Sequence, residues 1–260
     1  MRFIDTHAHL YDEAFASEED AAIERAISSG VDRIVFPDID SQTRDIMFAI
    51  ADRHPGSVFP CLGLHPTSVG KEWEKEMAAI EGYLSRKIYA IGEIGMDCYW
   101  SKEFIREQQE ALRIQLELAD KLDLPVIIHS RESTELIINI LKECRHLNLK
   151  GVFHAYSGSI ETFRELQKLG DWYIGIEGGG DDAGLGGQIA QLLGELRLTD
   201  DDALHAHLHG TADHIRLTAA EDDGIFICKE QVFAGLGQGD AHLAGDRVQE
   251  VACLVENSAL

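Results

Sequence analysis

A chain of 260 residues, 45% of them hydrophobic and 27% charged, has room for one large domain or two small ones and enough apolar matter for a sizeable core. Its net charge of −23 disfavours loose adhesion to nucleic acid or anionic membranes through the bulk surface, so a polyanionic substrate needs local positive charge, which bound cations can provide. The five cysteines are far apart and form no Cys-x-x-Cys pair, no basic leader precedes an apolar run, and no apolar stretch approaches the roughly 20 residues that span a bilayer. The expectation is a cytoplasmic protein with reduced thiols and no membrane partner.

The first element is the β-prone run Phe3-Ile4-Asp5, followed by His7 and His9. At i and i+2 a strand points both imidazoles the same way, which makes half of a divalent-metal site and asks for further donors elsewhere. Ser17 to Ser29 reads as a helix capped by Ser17, Asp32 to Phe36 as a strand and Ser41 to Arg53 as a helix. A strand from Val58 to Leu64 ends in His65-Pro66, a helix covers about Lys71 to Arg86, and a strand runs from Ile88 to Glu93. The pattern then repeats: helix Glu103 to Leu122, strand Pro125 to His129, helix Ser133 to Cys144, strand Gly151 to His154, helix Ile160 to Leu169, strand Trp172 to Ile176.

Short, nearly all-apolar strands alternating with amphipathic helices imply parallel strands buried on both faces. At this length the pattern predicts the α/β class and a (β/α)8 TIM barrel, with an open doubly wound sheet as the alternative. A barrel places its chemistry at the C-terminal ends of the strands. His7, His9, His65, Glu93, His129 and His154 all fall there. One histidine ending an apolar strand is ordinary, but five with a glutamate at the same end of successive strands predict a metal site.

The stretches Ile4-Asp5-Thr6-His7-Ala8-His9-Leu10, Gly63-Leu64-His65-Pro66, Ile91-Gly92-Glu93-Ile94-Gly95-Met96-Asp97, Gln115 to Ala119 with Leu124 to Arg131, and Phe153-His154-Ala155-Tyr156-Ser157-Gly158 carry a resemblance. Over about residues 1–176 the chain resembles the TatD family of metal-dependent hydrolases, among the amidohydrolase-type barrels. The resemblance implies divalent cations at the strand ends and hydrolysis of ester bonds, chiefly phosphodiesters of DNA. By position, His7 and His9 would bind one ion, Glu93 would bridge two, and His129 and His154 would bind the second; Mg, Mn or Zn would serve. A carboxylate can bridge where an imidazole cannot, and two cations ~3.5–4 Å apart suit in-line displacement at phosphorus. His65 is expected to contact a substrate phosphate, Arg131 to pair with a carboxylate such as Glu132 or Glu135 in preference to a phosphate, and Asp5 to orient rather than ligate.

Beyond Ile176 the family pattern is lost. The expected eighth-strand Glu-Thr-Asp-(Ala/Ser)-Pro motif is replaced by Thr199-Asp200-Asp201-Asp202-Ala203, which leaves Asp202 as the candidate general base and last metal ligand, with Asp200 and Asp201 as alternates. The chain is expected to form one domain, 1–260, with an atypical stretch from 177 onward. That stretch is a divergent tail or the product of an altered reading frame, and loss of every family feature at retained length favours the latter. His205, His207 and His209 alternate with small residues in this acidic region and are read as fortuitous. The functional expectation is a metal-dependent deoxyribonuclease, exonucleolytic and using metal-activated water. The rivals are a carboxyl or aminoacyl ester or amide hydrolase on the same barrel, with a small-molecule ester as substrate, and a chain that binds metal without turnover. Oligomeric state is left open.

Overall fold

The alternation of buried apolar runs with amphipathic helices is realised in a computed structural model, which describes residues 3–175 together with 207–208 and 215–216. The elements are β1 (Phe3–Asp5), α1 (Glu19–Ser28), β2 (Val31–Phe36), α2 (Ser41–Arg53), β3 (Val58–Pro60), α3 (Trp73–Ile80), β4 (Ile91–Asp97), α4 (Ile105–Leu122), β5 (Val126–Arg131), α5 (Thr134–Glu143), β6 (Lys150–Phe153), α6 (Ile160–Leu166) and β7 (Asp171–Ile174). Strands β1-β2-β3 and β4-β5-β6-β7 form two parallel sheets. A parallel bridge from Leu62 to Ile91 joins them, with Gly92 N–H donating to Leu62 O at 3.0 Å and Leu62 N–H to Ala90 O at 3.1 Å.

Seven parallel strands therefore run side by side in sequence order. A doubly wound sheet would reverse that order at a switch point, and among the described strands there is none. The architecture is that of the (β/α)8 barrel. Packing agrees: Cys61, Ala90 and Ile127 form a small cluster with Val35 and Val152 against it, side chains from successive strands meeting on the inner face as a curled sheet requires. On the outer face Ile34 and Phe36 of β2 share one cluster with Ala22 and Ile23 of α1 and Met47 and Phe48 of α2, while Ile94, Ile128 and Phe153 share another with Leu112 and Leu116 of α4 and Ile137 and Leu141 of α5. The expected eighth strand and Asp200, Asp201 and Asp202 lie outside the described residues. His207–Leu208 pairs antiparallel with Ile215–Arg216, and His205 and His209 are outside the description. Among the described residues no helix is long and apolar enough to cross a membrane.

Three local expectations are corrected. Ser17 does not cap α1: it sits at φ 70°, and the helix begins at Glu19 with no side-chain cap, its acidic first turn facing the positive end of the helix dipole. The helix expected over 71–86 stops at Ile80 and tightens into a 3-10 turn over Glu81–Tyr83, where Gly82 weakens α-helical continuity. The strand expected to end at Glu93 instead starts at Ile91 and continues to Asp97, since Gly95, Met96 and Asp97 pair in register with His129, Ser130 and Arg131.

Gly95 makes that extension possible. It adopts φ +138°, and a Cβ there would stand 2.0 Å from the His129 carbonyl oxygen. Gly95→Ala should therefore cost on the order of 3 kcal/mol, from backbone strain and overpacking together. Urea unfolding measures it; a loss below about 1 kcal/mol would show that β4 can withdraw from β5 without penalty.

Candidate metal centre

Glu93 lies on β4, buried to 2% exposure, with imidazoles on both sides of its carboxylate. Its Oε2 is 3.1 Å from His7 Nε2 and 3.6 Å from His9 Nε2. Its Oε1 is 3.0 Å from His129 Nδ1, 3.6 Å from His65 Nε2, and in close contact with His154 Nε2. Two donor groups result, His7–His9–Glu93 and His65–Glu93–His129, each with ligand atoms within 4.8 Å of one another. The five histidines and the glutamate read from the sequence are thus brought together; Asp202 lies outside the described residues.

The strands explain the convergence. His7 and His9 follow β1, with the His7 backbone N–H donating to Asp5 Oδ1 at 3.1 Å, so Asp5 holds the backbone and stands outside both donor groups. His129 sits within β5 opposite Gly95. His154 follows β6 with its N–H on Ile128 O at 3.0 Å, and its ring stacks on His7 with centroids 4.1 Å apart. His65 caps the 3-10 turn Pro66–Ser68.

The second nitrogen of each ring assigns the first. Tyr11 donates its hydroxyl proton to Pro37 O, so it accepts from His9 Nδ1 at 2.6 Å, leaving a lone pair on His9 Nε2 toward Glu93. His129 Nε2 donates to Asp97 Oδ2 at 3.0 Å, leaving its Nδ1 lone pair toward Glu93. That is the carboxylate–histidine arrangement that fixes a metal ligand. His65 differs: its Nδ1 accepts from Thr67 N–H at 3.2 Å, so the proton sits on Nε2, which faces the centre as a donor. His7 Nδ1 is buried without a hydrogen-bond partner, while its Nε2 is 3.0 Å from His9 Nε2.

Electrostatics keep the donors competent. Burial, with His154 alongside, lowers the His7 pKa to about 4, so its ring is neutral. Burial acts to raise the Glu93 pKa, but His154, His7 and His65 together hold it well below the usual carboxylate range. His129 is the exception: burial acts to lower its pKa, but the Asp97 and Glu93 carboxylates at its two nitrogens raise it overall, so a cation bound at Nδ1 would have to displace a proton held there.

The donor set fits a divalent metal. Ligand atoms on bonds of ~2.0–2.2 Å stand roughly 3.3–3.6 Å apart at a tetrahedral centre, and the separations of Glu93 from His7, His9 and His129 lie close to that range, while His154 stands nearer. Nitrogen-rich ligation suits Zn or Mn better than Mg, which prefers an all-oxygen octahedron.

Several supporting residues had no role in the sequence reading. Besides orienting His129, Asp97 accepts at Oδ1 from the backbone N–H groups of Tyr99 and Trp100 at 2.9 and 3.1 Å. Two buried glutamines of α4 fasten the strand ends, Gln108 to the Asp97 backbone and Gln115 to that of Leu64. Asp38 Oδ2 accepts from Arg44 Nε at 2.6 Å and from Gly63 N–H at 3.1 Å, and Arg44 Nη2 donates to Gly63 O at 3.0 Å. The Asp38 backbone donates to Gly92 O at 2.9 Å and accepts from Glu93 N–H at 3.1 Å, so the pair braces the metal-facing carboxylate from behind. Asp97 and Gln115 lay within stretches that carry the resemblance, and Asp97 alone offered a chemical signal, as a carboxylate near a strand end. Arg131 is also relocated: in place of the expected pairing with Glu132 or Glu135, its guanidinium lies over the rings of Tyr99 and Trp100.

Comparison with known proteins matches this geometry to a family. A family model described as TatD related DNase matches residues 4–182. The uncharacterized metal-dependent hydrolase YjjV of Escherichia coli is 35% identical over 181 residues, 68% of either chain. The crystal structure of YjjV, a TatD homologue, superposes with a TM-score of 0.59 at 32% identity, again over 68% of each chain. The 3'-5' ssDNA/RNA exonuclease TatD of Erwinia tasmaniensis is 30% identical over 191 residues, 73% of either chain.

Proposed function

The chain belongs to the TatD related DNase family and is a metal-dependent hydrolase, and from that premise we propose that it cleaves phosphodiester bonds of DNA from strand ends, using two divalent ions shared through Glu93. The observation that carries this reading is the division of labour at Glu93, one oxygen facing His7 and His9, the other facing His129 and His154. A carboxylate so placed can hold two cations at the spacing that phosphoryl transfer favours. The chemistry such ions supply is Lewis-acid neutralisation of phosphoryl charge and acidification of water.

The remaining residues have separable tasks. His9 and His129 present lone pairs fixed by Tyr11 and Asp97. His65 presents an N–H and is assigned to a non-bridging phosphate oxygen. Asp202 is assigned the general-base role, with Asp200 and Asp201 as alternates; all three lie outside the described residues.

Metal removal tests the reading. Treatment with a strong chelator should abolish cleavage of end-labelled single-stranded DNA, and Mn or Zn should restore it, with elemental analysis giving two equivalents per chain. Cleavage that persists after metal is shown to be absent would overturn the mechanism. Hydrolysis of carboxyl esters but not DNA would replace the substrate and keep the centre. The same assay on Asp202→Asn assigns the base, since an unchanged rate would remove Asp202 from the reaction.

A further inference from the structure

Tyr99 and Trp100 are the two most exposed large apolar side chains among the described residues, at 51% and 66%. They are adjacent, perpendicular to one another with centroids 4.9 Å apart, and follow β4 at the end where the metal-facing groups lie. Isolated exposed leucines or isoleucines on helix surfaces need no explanation, but paired aromatics at the mouth of a polar centre do. Their position is built: Asp97 holds both backbone N–H groups with one carboxylate oxygen and His129 with the other.

Two further features share the place. Arg131, exposed at the end of β5, lays its guanidinium 4.0 Å from the Tyr99 ring centroid and 5.2 Å from that of Trp100. It puts a positive charge beside the centre on a chain whose net charge is −23. Beside Trp100 opens a cavity of about 240 Å³ lined by Pro66, Thr67, Asp97, Phe104 and Gln108 among others. Its rim reaches the side of the centre that faces Glu93 Oε1, since Thr67 hydrogen-bonds His65 and Asp97 hydrogen-bonds His129.

Resting on the phosphodiesterase reading above, the geometry points to a base-stacking subsite: Trp100 and Tyr99 receive an unpaired nucleobase next to the scissile phosphate, and Arg131 meets the adjoining backbone charge. Flat apolar rings supply sequence-independent contact, and the guanidinium supplies the local attraction that the acidic surface withholds. A base within a duplex has both faces occupied by its neighbours, so the subsite selects single strands and frayed ends.

The test compares cleavage of an end-labelled oligothymidylate with that of the same oligomer carrying stable abasic residues at its terminal positions. Phosphates are identical, so the ratio of kcat/KM values reads the base alone. Wild type should prefer the base-bearing strand by roughly tenfold, within what one stacked base contributes. Trp100→Ala should bring the ratio near one, and Trp100→Phe should keep most of it. Trp100 is exposed, so these variants should unfold at the wild-type midpoint, which a thermal melt checks. Equal cleavage of both strands by wild type, or a preference that survives in Trp100→Ala, overturns the subsite alone. Cleavage of neither strand by metal-loaded protein overturns the phosphodiesterase reading and the subsite with it. A concentration-dependent dimer that Trp100→Ala dissolves would assign the aromatic pair to self-association and overturn the subsite.

Discussion

Glu93→Gln is expected to lose bound metal and to lower turnover by more than about 100-fold, beyond the upper range for residues that only orient a ligand. Glutamine keeps the volume and the hydrogen-bonding reach, so the backbone braced by Asp38 has no reason to move. It replaces an anionic oxygen with an NH₂ group, however, and that group must face either the His7–His9 side or the His129–His154 side. One donor set then meets a donor where it needs an acceptor, and neither ion keeps a shared negative charge. Elemental analysis and single-stranded DNA cleavage, with circular dichroism as the folding control, decide the matter. A Glu93→Gln protein holding two metal equivalents at wild-type rate would remove the bridge from the mechanism.

The second large effect belongs to a residue that touches no substrate. Arg44 and Asp38 are both fully buried, and Arg44→Met should cost about 3–5 kcal/mol because it leaves the Asp38 carboxylate charged and unpaired in the interior. Its dependence on pH has a definite sign. Burial already raises the Asp38 pKa from 3.8 to about 6 against the pull of Arg44. A carboxyl raised in the folded state contributes stability that is fully present below the unfolded value near 3.8 and is lost as pH rises through about 6. Without the guanidinium the folded value climbs further, so the penalty of Arg44→Met should be larger at pH 8 than at pH 5. Urea midpoints at the two pH values measure it, and adding Asp38→Asn should recover much of the loss at pH 8 while keeping an acceptor for Gly63 N–H. A penalty below about 1 kcal/mol at both pH values would contradict this account of the pair.

The side chains that converge on Glu93 were legible from sequence for a physical reason. A parallel strand buried on both faces tolerates few polar residues, so a histidine or glutamate ending an apolar run stands out, as His129 does after Val126-Ile127-Ile128 and His154 after Val152-Phe153. What the sequence hid depends on pairing between distant segments. Nothing local says that β4 continues past Glu93, because the extension rests on Gly95 lying against His129, 34 residues further on. Arg44 looks like an ordinary charged position of an amphipathic helix until Gly63 and Asp38 come to meet it. Asp97 was visible as a residue, but its work for His129, Tyr99 and Trp100 emerges only when β4 and β5 are side by side. Arg131 was read as a local ion pair because its nearest carboxylates in sequence are Glu132 and Glu135, whereas its rings come from the neighbouring strand end.

The junction between the two sheets has a consequence for the whole molecule. His7 and His9 follow a strand of the first sheet, while Glu93, His129 and His154 come from the second, across the joint where Leu62 meets Ile91. An ion held by His7, His9 and Glu93 would act as a rivet through a lap joint, fastening the two halves of the arc as well as arming the reaction. Since it would bind the folded chain and not the unfolded one, each tenfold rise in free cation above the dissociation constant would add about 1.4 kcal/mol to folding. Heat resistance would then be a property of the surrounding medium as much as of the polypeptide, and starvation for metal would weaken the scaffold at the same moment that it silences the chemistry.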